Sequence, residues 1–177
     1  NAPVGLEIKG DVRQFTVRNN TFVNMSITAI GGNMHGGESV QTVTGEILYN
    51  HARSNQTALD INQDGFASQI FIYRNTLVGR VQVRNTDTRD GPFVFLNNVF
   101  VNSDSGTPAG SHLYHYGVTD ASRIQRANNL VGYPSDNLVD ASGALTTAYS
   151  SYVGTHGHLY PGAVSASLPT APRNLRI

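Results

Sequence analysis

The residues best placed to do chemistry are Asp60, Asn62 and Asp64. In Asp60-Ile61-Asn62-Gln63-Asp64-Gly65, oxygen-bearing side chains alternate with spacers and a glycine follows. That order is the first half of a calcium loop, in which carboxylates and an amide converge on the ion and glycine makes the sharp turn. Calcium is therefore the cofactor this stretch predicts, with Asp60, Asn62 and Asp64 as ligands. The second half does not follow: the twelfth position is Phe71, which has no oxygen to offer. Asp87 and Asp90 fall in the corresponding loop of the next repeat and are the candidates to complete it. Asp60, Asp64, Asp87 and Asp90 could instead converge as the acid and base of a hydrolytic site. Asp-Gly is also ordinary turn chemistry, which needs no ligand. Arg84 and Arg89 are the nearest basic side chains.

Other chemistries find less support. His35 lies in a glycine-rich stretch, His112 and His115 flank Tyr114, and His156 and His158 bracket Gly157. On a strand the first of these pairs points to opposite faces, so a shared metal is not expected. His156 and His158 can share a face but have no evident third ligand, so structural roles are predicted. Cysteine is absent, which excludes disulfides and thiolate nucleophiles. There is no phosphate-cradling glycine loop and no serine nucleophile elbow. The formal net charge is zero, so no basic excess draws nucleic acid. No apolar run reaches the length of a membrane span.

The elements that must position these residues come by repetition. Phe93-Val94-Phe95-Leu96-Asn97-Asn98-Val99-Phe100 reads as two short strands around a corner. The same pattern recurs as Phe15-Thr16-Val17-Arg18-Asn19-Asn20-Thr21-Phe22 and Ile70-Phe71-Ile72-Tyr73-Arg74-Asn75-Thr76-Leu77. Weaker copies end at Asn50 and at Asn128-Asn129. The corner asparagines Asn20, Asn50, Asn75 and Asn98 lie 30, 25 and 23 residues apart. Short strands at a period in the twenties, with variable loops, predict a solenoid of β-coils with three strands per coil. The corner asparagine would take the left-handed backbone, hydrogen-bond its own turn and stack into a ladder. Residues 27–30 are expected to be a strand, and the glycine-rich residues 31–37 a loop. An antiparallel sandwich would also use short strands, but nothing in it requires a repeated corner asparagine.

The segments Val-Arg-Asn-Asn-Thr-Phe, Ile-Tyr-Arg-Asn-Thr-Leu and Phe-Leu-Asn-Asn-Val-Phe resemble the right-handed parallel β-helix of the pectate-lyase-like superfamily. The likeness covers residues 5–131. It implies an all-β, single-stranded parallel β-helix of about five coils with an Asn ladder. It also implies a polysaccharide-binding groove along one sheet, built from residues 6–8, 27–30, 59–61, 81–83 and 113–115. Alternation then sets Glu7, Thr28, Asp60, Gln82 and Tyr114 in one outward column and Lys9, Asn62, Arg84 and Tyr116 in a second. Asp60, Asn62, Gln82, Arg84, Tyr114 and Tyr116 are the implied substrate-binding residues. In a lyase, calcium would neutralise a uronate carboxylate, and an arginine or lysine would remove the acidified C–H proton. The chain lacks both the arginine-rich signature of pectate lyases and the paired aspartates of polygalacturonase-type hydrolases.

Residues 1–134 are thus read as β-helix coils, 135–167 as a C-terminal wrap, and 168–177 as a linker towards a downstream module. The linker is similar to the opening of a fibronectin-type-III module. With no amphipathic capping helix at the start, the coils are expected to continue upstream. The implied function is that of the C-terminal part of a secreted or cell-surface bacterial protein that binds, and by lyase-type chemistry cleaves, an acidic polysaccharide. The alternative is a non-catalytic adhesin, fibre or cell-surface segment, which the missing catalytic signature favours.

Overall fold

The computed structural model describes residues 2–9, 12–35, 42–64, 67–84, 92–102, 114–116 and 121–158. Asp87, Arg89, Asp90, His112, Leu113, Gly65 and the linker 168–177 lie outside the described residues, as do the side chains of Asp64, Tyr114, His115 and Tyr116. The described residues are mostly strand, with helix confined to short 3-10 turns.

Odd-numbered strands build one sheet: β1 (Ala2–Lys9), β3 (Thr21–His35), β5 (His51–Asp64), β7 (Thr76–Arg84) and β9 (Val99–Val101). The strand β12 (Leu130–Gly132) adds to the end of that row, and β10 (Tyr114–Tyr116) pairs with β7. A second sheet runs β2 (Gln14–Arg18), β4 (Thr42–Leu48), β6 (Ala67–Tyr73), β8 (Phe93–Leu96) and β11 (Ile124–Ala127). Every named strand pair is parallel, which excludes the antiparallel sandwich.

Parallel, in-register pairing puts like residues on like positions. Ile30, Leu59 and Val81 form one inward row, and Ile61 and Val83 another. From the second sheet, Val17, Ile47, Ile72 and Phe95 answer them, as do Ile70, Phe93 and Ile124. Burying each such side chain stabilises the fold by about 1.5–3 kcal/mol. Gly45 falls in the Phe15–Ile70 row, where the Phe15 ring occupies the space a Cβ would need.

The two sheets meet at a corner built from asparagine. Asn50 donates from its backbone N and its Nδ2 to Asn75 Oδ1, both at 2.9 Å. Asn20 bonds Asn50 in the same way, Asn75 bonds Asn98, and Asn98 bonds Asn129. The second Nδ2 proton reaches back to the preceding strands: Asn50 to Val17 O, Asn75 to Ile47 O, Asn98 to Ile72 O. Asn50, Asn75 and Asn98 have no solvent exposure. The ladder forms as expected, except that Asn20 is exposed where burial was expected, and it gains Asn129 as a fifth rung.

Four expectations change. The left-handed residue is the one before each ladder asparagine: Asn19, Tyr49, Arg74, Asn97 and Asn128, with φ of 51° to 57°. The ladder side chain must reach sideways to its neighbour, so the preceding residue makes the bend. Tyr49 and Arg74 accept a left-handed cost of about 1–2 kcal/mol. Arg74 lies over the Tyr49 ring at 5.6 Å, which offsets part of it. Second, Gly31 and Gly32 are strand, because β3 runs through them and pairs on both sides with Glu7, Ile8, Asp60 and Ile61. Third, register therefore places Gly31, and not Thr28, beside Asp60; Thr28 pairs with Val4 and Thr57. Fourth, the repeats between Asn20 and Asn98 each hold two strands where three short ones were expected, because β3, β5 and β7 run on as single strands, whereas β9, β10 and β11 all fall between Asn98 and Asn129. The pairing of β3, β5 and β7 shifts register between Phe22 and Met25 and between Arg53 and Thr57, and Asn24 takes φ 61° at the first shift.

Asn75→Ala would leave buried donors on Asn50 and the Ile47 carbonyl without partners, each costing about 1–3 kcal/mol. Chemical denaturation should show a larger loss for Asn75→Ala than for Asn20→Ala at the exposed end of the ladder. Equal losses would mean that the amide stack does not stabilise the corner.

Candidate functional site

Two rows of residues run in register across the first sheet. Register sets Glu7, Gly31, Asp60, Gln82 and Tyr114 in the first. It sets Lys9, Asn33, Asn62, Arg84 and Tyr116 in the second. Their strand neighbours Leu59, Ile61, Val81 and Val83 are buried in the core, so Asp60 and Gln82 face away from it. The rows match expectation except at Thr28.

The site centres on an ion pair. Arg84 donates from Nε to Asp60 Oδ1 at 2.8 Å and from Nη2 to Asp60 Oδ2 at 2.6 Å. The two residues sit diagonally on adjacent strands, and the planar guanidinium matches the carboxylate edge to edge. The Asp60 hydrogen bond holds the Arg84 guanidinium more firmly protonated. The pair is less wet than an outward row suggests: Asp60 and Gln82 each keep 8 % of their exposure. Arg84 lies across the carboxylate and keeps its own side chain 36 % exposed. Its Nη1 is not used by the two bonds and lies on the far side of the guanidinium from Asp60. At the row ends, Lys9 and Glu7 pair at 3.0 Å on the open strand β1.

This arrangement bears on calcium. Both Asp60 oxygens face a guanidinium, which repels a cation, so the described donors do not by themselves fit the ion. Among the described residues no three acidic or histidine side chains gather at one point. The Asp64 side chain and the whole of Asp87, Arg89 and Asp90 fall outside them.

A second constellation went unremarked in the sequence. His51 opens β5 directly after ladder residue Asn50, and its ring stacks on His158 at 5.0 Å with planes 16° apart. His158 Nδ1 lies 2.8 Å from Thr76 Oγ1, and the His158 amide donates to the same oxygen at 3.2 Å. Arg53, two residues along from His51, donates from Nη2 to the Asp140 carbonyl at 2.8 Å. Burial is the main cause that lowers His51 to about 4, with His158 and Arg53 adding repulsion. Burial also lowers His158. The only sequence signal was an imidazole where other rungs carry Thr21, Thr76, Val99 and Leu130.

No known family, curated protein or solved structure matches the chain.

A double-mutant cycle on Asp60→Asn and Arg84→Gln should give a coupling energy of about 1–2 kcal/mol. That is the range for hydrogen bonds to charged groups, reduced for Arg84's exposure. A coupling near zero would mean that water competes fully with the fork.

Proposed function

We propose that the chain is a right-handed parallel β-helix, like those of the pectate-lyase-like superfamily. We propose also that its first sheet binds an acidic polysaccharide in a secreted or cell-surface setting. The fold reading is supported by consecutive strands that alternate between two parallel sheets and by a shared asparagine at each corner. The binding reading rests on one observation, the Asp60–Arg84 fork flanked by Gln82 and Asn62 on a two-row polar face. In this reading, Arg84 offers Nη1 to a uronate carboxylate while Asp60 fixes its plane. Gln82 and Asn62 hydrogen-bond sugar hydroxyls. Tyr114 pairs with Gln82, and Tyr116 with Arg84, in the same two rows. Aromatic rings at those positions would stack on pyranose faces. Cleavage by a calcium-assisted lyase step would need ligands from Asp64, Asp87 or Asp90.

A non-catalytic structural segment is the second reading. It is favoured by the Asp60 carboxylate being engaged by Arg84, which leaves it neither a base nor an open metal ligand.

Binding is tested by affinity electrophoresis in gels carrying polyuronates or neutral glucans. Retardation by the uronate polymers, weakened about tenfold in Arg84→Gln, is expected from the loss of one charge-assisted contact. Equal mobility in all gels would sink the binding reading. Tyr114→Ala should weaken retardation by about 1 kcal/mol with little change in Tm. Absorbance of the unsaturated product, with and without calcium, separates cleavage from binding alone.

A further inference from the structure

The C-terminal residues 138–158 lie against the strand starts that follow the ladder. Leu138 packs with Val99 and Val101 at the near end. From there the chain turns at Asp140, whose Oδ1 accepts from Ser142 N, Ser142 Oγ and Ala144 N. Gly143 then comes flush with the His51 imidazole, with no room there for a Cβ. The segment returns along Thr147–Tyr152 and closes through Gly157, which donates to Asn97 O at 3.0 Å. Arg74 Nε donates to Gly157 O at 3.4 Å, and His158 stacks on His51.

Beyond Leu145 and Tyr149, which pack on that same apolar cluster, the segment is held by polar contacts around two imidazoles. We propose that residues 140–158 are an acid-released strap, with the His51–His158 stack as its latch and Leu138 as its hinge anchor.

The closed form disfavours a charge on either ring. His51 Nε2 is buried and has no hydrogen-bond partner among the described residues, so a proton there would be a buried charged donor with no acceptor among them. At His158, Nδ1 and the backbone amide both meet Thr76 Oγ1, and burial disfavours a charge on the ring. Two imidazolium rings 5.0 Å apart would also repel.

The charged neighbours add to this. Arg53 faces His51 from β5, and Arg74 faces the strap end beside His156. His156, whose own proton affinity burial lowers, lies on the strap with its ring edge-on to Tyr152. Asp140 opposes these cations from the strap, but its carboxylate is turned onto Ser142 and Ala144. Because the closed-state affinity of His51 is depressed, the strap's stability is complete above about pH 6.5. It falls as pH drops from there towards about 4, and levels off below. Across that window the closed-to-open ratio should change by about 10²-fold.

Hydrogen exchange read by mass spectrometry on the whole chain tests this, after correction for the intrinsic pH dependence of exchange. Between pH 7 and pH 4, amides of residues 140–158 are expected to lose about 10²-fold in protection. Peptides from β6 and β8 should keep theirs. His51→Phe retains a stacked ring without a titrating nitrogen and leaves His158 as the one titrating ring of the stack, so its strap should lose far less protection at pH 4 than the wild type's; His51→Gln is the second variant if Phe does not fit against Gly143. The latch is refuted if wild-type strap amides stay protected at pH 4, or if the sheet peptides open with them. It is refuted equally if a folded variant opens as far as the wild type at the same pH. Should neither variant keep its sheet peptides protected at pH 7, the wild-type profile still decides.

Discussion

Everything in this chain depends on one amide bonding the next. A parallel sheet places identical positions side by side, about 4.8 Å apart. An asparagine at such a position meets its counterpart at hydrogen-bonding distance, and its oxygen takes both protons its neighbour sends. The bend between the sheets would otherwise bury unpaired backbone groups. The asparagine stack satisfies them with side chains and fixes the register of both sheets at once. Core rows, outer polar rows and the Asp60–Arg84 fork all follow from that register.

Much of this was legible because its signal is local. The repeated pairs Asn19-Asn20, Asn97-Asn98 and Asn128-Asn129 named the corner, and period two named the inward residues. The outer columns through Asp60, Gln82 and Tyr114, and through Asn62, Arg84 and Tyr116, could be counted from the corners. Three things were hidden. In Tyr49-Asn50 and Arg74-Asn75 the residue that bends is of a type that ordinarily avoids the left-handed region, so the asparagine drew the assignment. Gly31 and Gly32 looked like a loop because propensity cannot register two flanking strands that hold them extended. The His51–His158 contact joins residues 107 apart in number, and no short motif spans such a distance.

The fork and the stacked imidazoles solve the problem of a half-buried ionisable group differently. Arg84 meets the Asp60 carboxylate with a matching ion in a two-bond fork. His51 receives no ion and stays neutral, a state that mild acid can reverse. One polar face is therefore held by opposite charges, while the contact that holds the C-terminal segment depends on the absence of charge.

The spacing along the ladder carries its own consequence. Successive rungs are separated by 30, 25, 23 and 31 residues, yet each amide meets the next at 3.1 Å or less. All variation in chain length is absorbed between corners, and none at them. Insertions and deletions in the connecting segments thus leave the scaffold's geometry intact, whereas one residue added between Arg74 and Asn75 would break it. Such a chain can lengthen by duplicating a whole rung and diversify by rewriting what lies between rungs, with its architecture copied unchanged at every step.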